Sequence, residues 1–247
     1  MNNKLLILNL GVDSENTSLA FTQKWINEIS LNFDSVDVLT MKVGKNYQLN
    51  KNVNLHFIND QNTNHTKIYQ LNKLTKVTRK LIENNNYTHC FAHMAPMQHL
   101  IAKFYLVRKN IKSTLWFTHS GPAFGIKWLI LWFSSMLANN IVTASKNSFP
   151  FRFKKVKYIG HGINYEIFFE ERTTFQLKNI SILSRVSKSK NIDNTLDNII
   201  KCKNFENMNI DVIGGTLNIE DENYLNELLI KYKNCLLYTS PSPRDWL

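Results

Sequence analysis

The sequence predicts an α/β fold of two domains, each a parallel β-sheet with helices on both faces. Three observations carry this. Nine short apolar segments with β-branched or aromatic cores recur along the chain, each bounded by polar or turn residues. Segments of helical period separate them, the alternation expected of parallel sheets. The charged stretch Glu166–Lys178 (EIFFEERTTFQLK) has no clear period and marks a boundary. It leaves a first domain over residues 1–165 and the opening of a second over 166–234.

In chain order, the expected strands of the first domain are Leu5–Leu10, Val36–Met41, Val53–Ile58, Thr88–Ala92, Thr114–Thr118, Ile141–Ala144 and Val156–Ile159. The second domain begins with Ile180–Leu183 and Ile210–Ile213. Between the strands, Phe21, Trp25, Ile26 and Ile29 share one helix face, after Ser14, Asn16 and Ser18 as candidate caps. Ile68, Leu71, Leu74, Leu81 and Ile82 mark a longer helix, and Ile192, Leu196, Ile199 and Ile200 fit the i, i+4, i+7, i+8 template. The segment Glu220–Lys233 carries its acids first and its lysines last, which suits the helix dipole, with Tyr224, Leu225, Leu228 and Leu229 as its buried face. Gly125–Ala138 (GIKWLILWFSSMLA) is apolar nearly all round and too short to span a bilayer. It is expected to cover the sheet as a buried helix. The alternative is a surface that dips into a membrane, helped by Lys146, Arg152, Lys154, Lys155 and Lys157.

With 247 residues, 43% hydrophobic and 20% charged, the chain has the composition of a soluble globular protein. Its net charge of +11 and pI of about 9.5 favour acidic partners: phosphorylated substrates, anionic lipid or nucleic acid. No recognition motif or aromatic-basic platform supports nucleic acid. Cys90, Cys202 and Cys235 form no Cys-x-x-Cys pair, so neither a zinc site nor a redox dithiol is indicated. The absence of a disulfide framework fits a reducing compartment, and the opening MNNKLLILNLG reads as a strand and not as a signal peptide. A cytoplasmic location is expected, peripheral at the membrane if the apolar helix engages lipid.

The tail Cys235–Leu247 (CLLYTSPSPRDWL) has a different character. CLLYTSPSPRD can be spelled by a continuous run of codons that looks like a transposase-based sequencing adapter. The expectation is that residues 235–247 are not native, that the protein continues past Asn234, and that the tail has no packed place in either domain. A second domain of this kind needs several more strands to bury its sheet.

Chemistry concentrates in two stretches, Lys155-Val-Lys-Tyr-Ile-Gly-His-Gly-Ile-Asn164 and Ile180-Ser-Ile-Leu-Ser-Arg-Val-Ser-Lys-Ser-Lys-Asn-Ile-Asp193. A strand that ends in a basic loop and opens into a helix is where α/β sheets bind ligands. The free N–H groups at the helix start near Ile192 favour an anion. Arg185 can clasp phosphate oxygens in a planar fork, and Lys190 adds a mobile point charge. The two stretches together resemble the interdomain signature of bacterial family-4 glycosyltransferases of the GT-B type: an Asn/His-Gly-Ile/Val-Asp turn, a short linker, then a strand ending in Gly-Arg-x-x-x-x-Lys-Gly. Ser184 and Asn191 stand where that pattern has glycines, and Asn164 where it has an acid.

The resemblance implies two Rossmann-like domains facing a cleft, and transfer of a sugar from a nucleotide-sugar donor to a hydroxyl of a glycan or lipid-linked acceptor. It implies retention of anomeric configuration and no metal, and no Asp-x-Asp motif appears. Cofactors are none, the nucleotide-sugar being a substrate. Carried over residue by residue, it gives His119, Arg185 and Lys190 catalytic roles. His93, His161, Gly162, Ser184, Gly214 and Gly215 are implied to bind donor or substrate. Gly11 and Asn16 belong to the acceptor loop after the first strand. His89 and His99 carry no motif. The family's pair of donor-binding glutamates is expected beyond Asn234, so the fragment is expected to be inactive alone. The rival readings are a sugar-nucleotide 2-epimerase of the same fold and a non-catalytic module that binds sugar phosphate or a membrane surface.

Overall fold

The computed structural model describes residues 3–14, 19, 21–59, 65–121, 124–162, 179–202, 209–233 and 237–240. They fall into two compact units, one on each side of residues 163–178. The boundary expected at Glu166–Lys178 lies outside the described residues, as do Asn16, Ser18, Ile163 and Asn164.

The first unit is a seven-stranded parallel sheet: β1 (Lys4–Val12), β2 (Ser35–Val43), β3 (Val53–Asn59), β4 (His89–His93), β5 (Lys112–Trp116), β6 (Asn140–Thr143) and β7 (Val156–Tyr158). Its order is β3-β2-β1-β4-β5-β6-β7. The helices are α1 (Phe21–Ser30), α2 (Lys67–Asn84), α3 (Pro96–Arg108) and α4 (Ile126–Leu137). Successive residues of a strand face opposite sides, so a run with no polar break is buried only when both faces are covered. In β1, Leu6 and Leu8 join one core with Leu39, Cys90, Leu106 and Leu115, while Leu5 and Ile7 join the other with Ile26, Val36 and Val38. The strand order reverses between β1 and β4, and the crevice outside the carboxyl ends of those strands is the usual ligand position in such sheets.

Three local expectations are corrected in this unit. Gly11 is not in the loop after β1. It lies within the strand, paired with Lys42, and its carbonyl oxygen accepts the Thr22 hydroxyl at 3.0 Å. Ser14 does not cap α1; its hydroxyl donates to the Asn46 carbonyl at 2.6 Å. The helix α4 is not buried all round. Leu131, Ser134 and Ser135 face inward, while Ile126, Leu129, Phe133, Met136 and Leu137 are exposed. The helix α3, which none of the expected helical segments covers, has a mixed buried face: Gln98, His99 and Lys103 are buried with Ala102 and Leu106, whereas Phe104 and Val107 are exposed. The polar interior is satisfied by bonds from His99 to the hydroxyls of Ser113 and Ser134 at 2.9 and 2.8 Å, and from Lys103 to Asn139 at 2.9 Å.

The second unit is a parallel sheet of order β10-β9-β8, with β8 (Asn179–Leu183), β9 (Asn209–Ile213) and β10 (Leu237–Ser240). A 3-10 turn (Lys188–Lys190) leads into α5 (Ile192–Ile200), and α6 (Ile219–Lys231) follows β9. Its core joins Val186, Ile192, Leu196, Ile210, Val212, Tyr224, Leu228 and Tyr232. Leu229, expected inside, is 38% exposed, and Asp221 takes a buried place on α6 instead. The tail was expected to have no packed place, yet Leu237–Ser240 pairs with Ile210–Ile213. The open edge of β9 presents unpaired N–H and C=O groups that any extended segment can satisfy.

Candidate functional site

In the second unit, the loops leaving β8 and β9 are stitched together by their backbones. The Ser184 N–H donates to the Ile213 carbonyl and the Val186 N–H to the Gly215 carbonyl, both at 3.0 Å. Gly214 is required here because a Cβ at that position would collide with the Ser184 carbonyl. Arg185 lies between the two anchored amides with its side chain exposed. Its Nε is 3.8 Å from Asp221 Oδ2, which leaves the terminal nitrogens of the guanidinium clear of that pair. Asp221 is held in turn by the Leu217 N–H at 3.2 Å, while its own N–H donates to the Asn218 side chain at 2.9 Å.

Lys190 ends the 3-10 turn, exposed, and Asn191 follows with φ of 50°. This left-handed conformation strains most side chains but is tolerated by Asn, so the glycine expected after the lysine is replaced without loss of the turn. The helix start near Ile192 does not offer the anion site expected of it. The Asp193 N–H donates to the Tyr224 hydroxyl at 3.1 Å, and that hydroxyl donates to the Asp193 carboxylate at 2.8 Å. The Tyr224 bond and then the Asn194 N–H hold this carboxylate below its ordinary range. The first turn of α5 thus carries its own anion, and the binding cations are those of the preceding loop.

In the first unit, His93 is the last residue of β4, beside the point where the strand order reverses. It is 7% exposed, and its Nδ1 is buried with no hydrogen-bond partner. Trp25 of α1 lies tilted against it at 4.7 Å between ring centroids, and Phe21 meets it edge-on at 5.8 Å. Trp116, the last residue of β5, lies 6.1 Å away. Burial pushes the imidazole pKa down to about 4, so it is neutral near pH 7. The uncharged ring thus sits at a strand's carboxyl end with its Nδ1 closed off from solvent. Of this aromatic surround, periodicity identified only Phe21 and Trp25, and only as a core face. The contacts are long-range, and the β4–α3 turn that shapes them depends on Met94 at φ of 52°.

His119 follows β5, exposed beside Phe117 with ring centroids 6.2 Å apart. His161 and Gly162 are exposed beyond β7, after Gly160, whose N–H donates to Ala144 at 3.1 Å. Thus the structure brings together Ser184, Arg185, Gly214 and Gly215, with Lys190 one turn on. It places His93 at the end of β4 and His119 after the adjacent β5 in the other unit. Among the described residues, no group of three or more His, Cys, Asp or Glu could hold a metal ion.

The sequence matches no protein-family model and no curated protein. Its fold matches solved structures over nearly its whole length. Anabaena HepE in complex with UDP has a TM-score of 0.69 at 13% identity, covering 98% of this chain and 70% of that one. The lipopolysaccharide outer core galactosyltransferase WaaB has 0.61 at 10%, covering 98% and 69%. The UDP-GlcNAc 2-epimerase of Methanocaldococcus jannaschii has 0.56 at 11%, covering 97% and 73%. The fold of this chain is GT-B, as the sequence led one to expect.

Proposed function

We propose that the protein is a retaining, metal-independent glycosyltransferase that moves a sugar from a nucleotide-sugar to a glycan or lipid-linked acceptor of the bacterial cell envelope. The observation that carries this reading is the stitched pair of loops after β8 and β9, which holds Arg185 at a rigid backbone position with Lys190 one turn on. Transfer breaks the bond from the anomeric carbon to the diphosphate and forms one to the acceptor oxygen. Negative charge builds on the departing diphosphate, and positioned cations stabilise it most at the transition state. Arg185 supplies a fork matched to phosphate oxygens, and Lys190 a point charge. His93 and His119 bind and orient the sugar, His93 as a neutral partner for a hydroxyl. UDP in HepE and galactosyl transfer by WaaB support a nucleotide-sugar as donor and an envelope glycan as acceptor.

No helix among the described residues is long and apolar enough to cross a membrane. We place the protein in the cytoplasm, peripheral at the inner face of the membrane. The second reading is a 2-epimerase, favoured by the fold shared with the archaeal enzyme. Nucleoside diphosphate released from UDP- or GDP-sugars only when acceptor is present supports transfer. Conversion of the donor to its epimer without acceptor supports the epimerase, and binding without either reaction supports a sugar-phosphate binding module.

A further inference from the structure

We infer that α4 and the segment after β6 form a docking face for a bilayer of anionic lipids. The helix has two opposed stripes. Leu131, Ser134, Ser135 and Ala138 turn inward, and Ile126, Leu129, Phe133, Met136 and Leu137 turn to solvent at spacings of one helix face. Phe124, just before the helix, is 90% exposed. Contiguous apolar surface of this kind on a folded domain marks an interaction site.

The neighbouring segment runs along the helix from end to end. Phe151 packs edge-on against Trp128 near the start of α4, with centroids 5.3 Å apart. Lys155 Nζ donates to the Met136 and Ala138 carbonyls at its end, each at 2.6 Å. Lys155 is therefore committed to closing the helix, while Arg152 and Lys154, on either side of the half-buried Phe153, are exposed. Lys127 and Lys146 are exposed as well. From Asn84 to Tyr165 the sequence contains no Asp or Glu at all. The apolar stripe is thus flanked by cations with no neighbouring acid from its own stretch of chain. Ordinary soluble surfaces intersperse both signs.

That charge pattern selects the occupant. A second copy seated on the same face would set cation against cation, and like-charge juxtaposition is costly. An anionic bilayer complements both features, since lipid headgroups meet the cations and the acyl boundary takes the apolar stripe. At 12 residues, α4 is about 18 Å long, suited to lying in the interface and too short to cross it. The inference deepens the peripheral location proposed above and rests on the lipid-linked acceptor for its purpose, though its test needs no turnover.

The test is co-sedimentation of the chain with vesicles of phosphatidylcholine alone, or of phosphatidylcholine with one third phosphatidylglycerol. Binding to the anionic vesicles only, weakened by salt, is the expected result. Arg152→Gln with Lys154→Gln should weaken it about thirtyfold, each cation near the surface contributing about fivefold. Leu129→Gln with Phe133→Gln should weaken it about tenfold or more, with an unchanged circular dichroism spectrum. Equal binding to both vesicle types, or wild-type binding by both double variants, would overturn the proposal. So would a lipid-free dimer that Leu129→Gln with Phe133→Gln dissociates. Loss of sugar transfer with vesicle binding intact would count against the transferase reading alone.

Discussion

Acid should destabilise the first unit through two buried histidines. His99 is fully buried, with both ring nitrogens bonded to serine hydroxyls. Burial, then the charges of Lys103 and Lys155, push its pKa down to about 3, and burial pushes that of His93 to about 4. In the unfolded chain both titrate near ~6.5. Between the folded and unfolded values the unfolded state binds more protons, so stability falls as pH drops below about 6.5. At pH 5 each histidine forfeits about 2 kcal/mol, from roughly 1.5 pH units at about 1.4 kcal/mol each. The pair removes about 4 kcal/mol from a typical ~5–15 kcal/mol. Asp37 does not contribute in this window. Burial raises its pKa, but bonds from His56, Lys4 and Tyr87 outweigh this and hold it well below the carboxylate range, so its contribution is lost only under about pH 4. The assay is urea unfolding at pH 7.5, 6 and 5, followed by tryptophan fluorescence, since Trp25, Trp116, Trp128 and Trp132 all lie in this unit. His99→Gln keeps a donor and an acceptor for the two serines. It should lose about half of the acid sensitivity, whatever its stability at pH 7.5. Parallel pH dependences of wild type and His99→Gln would refute the reasoning.

Gly214→Ala should force the loops after β8 and β9 apart, costing about 1–3 kcal/mol as overpacking. Donor affinity should fall with it, measured by denaturation and nucleotide titration. His119→Ala should lower turnover while leaving nucleoside-diphosphate affinity near wild type, which separates a sugar contact from a phosphate contact. Asp221→Asn should raise the KM for donor more than it lowers kcat, because a weaker partner at Nε leaves the Arg185 fork less well placed. Unchanged steady-state constants would assign Asp221 to capping the α6 turn alone.

The parallel sheets were legible in the sequence because both-face burial leaves unbroken apolar runs such as Leu5–Leu8. The placement of Arg185 and Lys190 on one strand–loop–helix unit was legible because it is local in sequence. What the sequence hid depends on distant contacts. The bond that holds the Asp193 carboxylate on the first turn of α5 comes from Tyr224, 31 residues further on. The aromatic surround of His93 gathers α1 and β5 around β4. In α3 polar residues face inward to a hydroxyl network, so the segment shows no clear apolar period and the sequence did not announce the helix. For α4, uniform apolarity concealed that only one stripe meets the core.

The most direct test of the central claim is acceptor-dependent release of nucleoside diphosphate from UDP- and GDP-sugars by the purified protein. Arg185→Ala should reduce turnover about 10²–10³-fold, and Arg185→Lys should recover only part of it, because a point charge cannot form two parallel bonds. Lys190→Ala should also depress turnover, by a smaller factor. Near-wild-type turnover in both Arg185→Ala and Lys190→Ala would contradict the donor site and, with it, the glycosyltransferase reading.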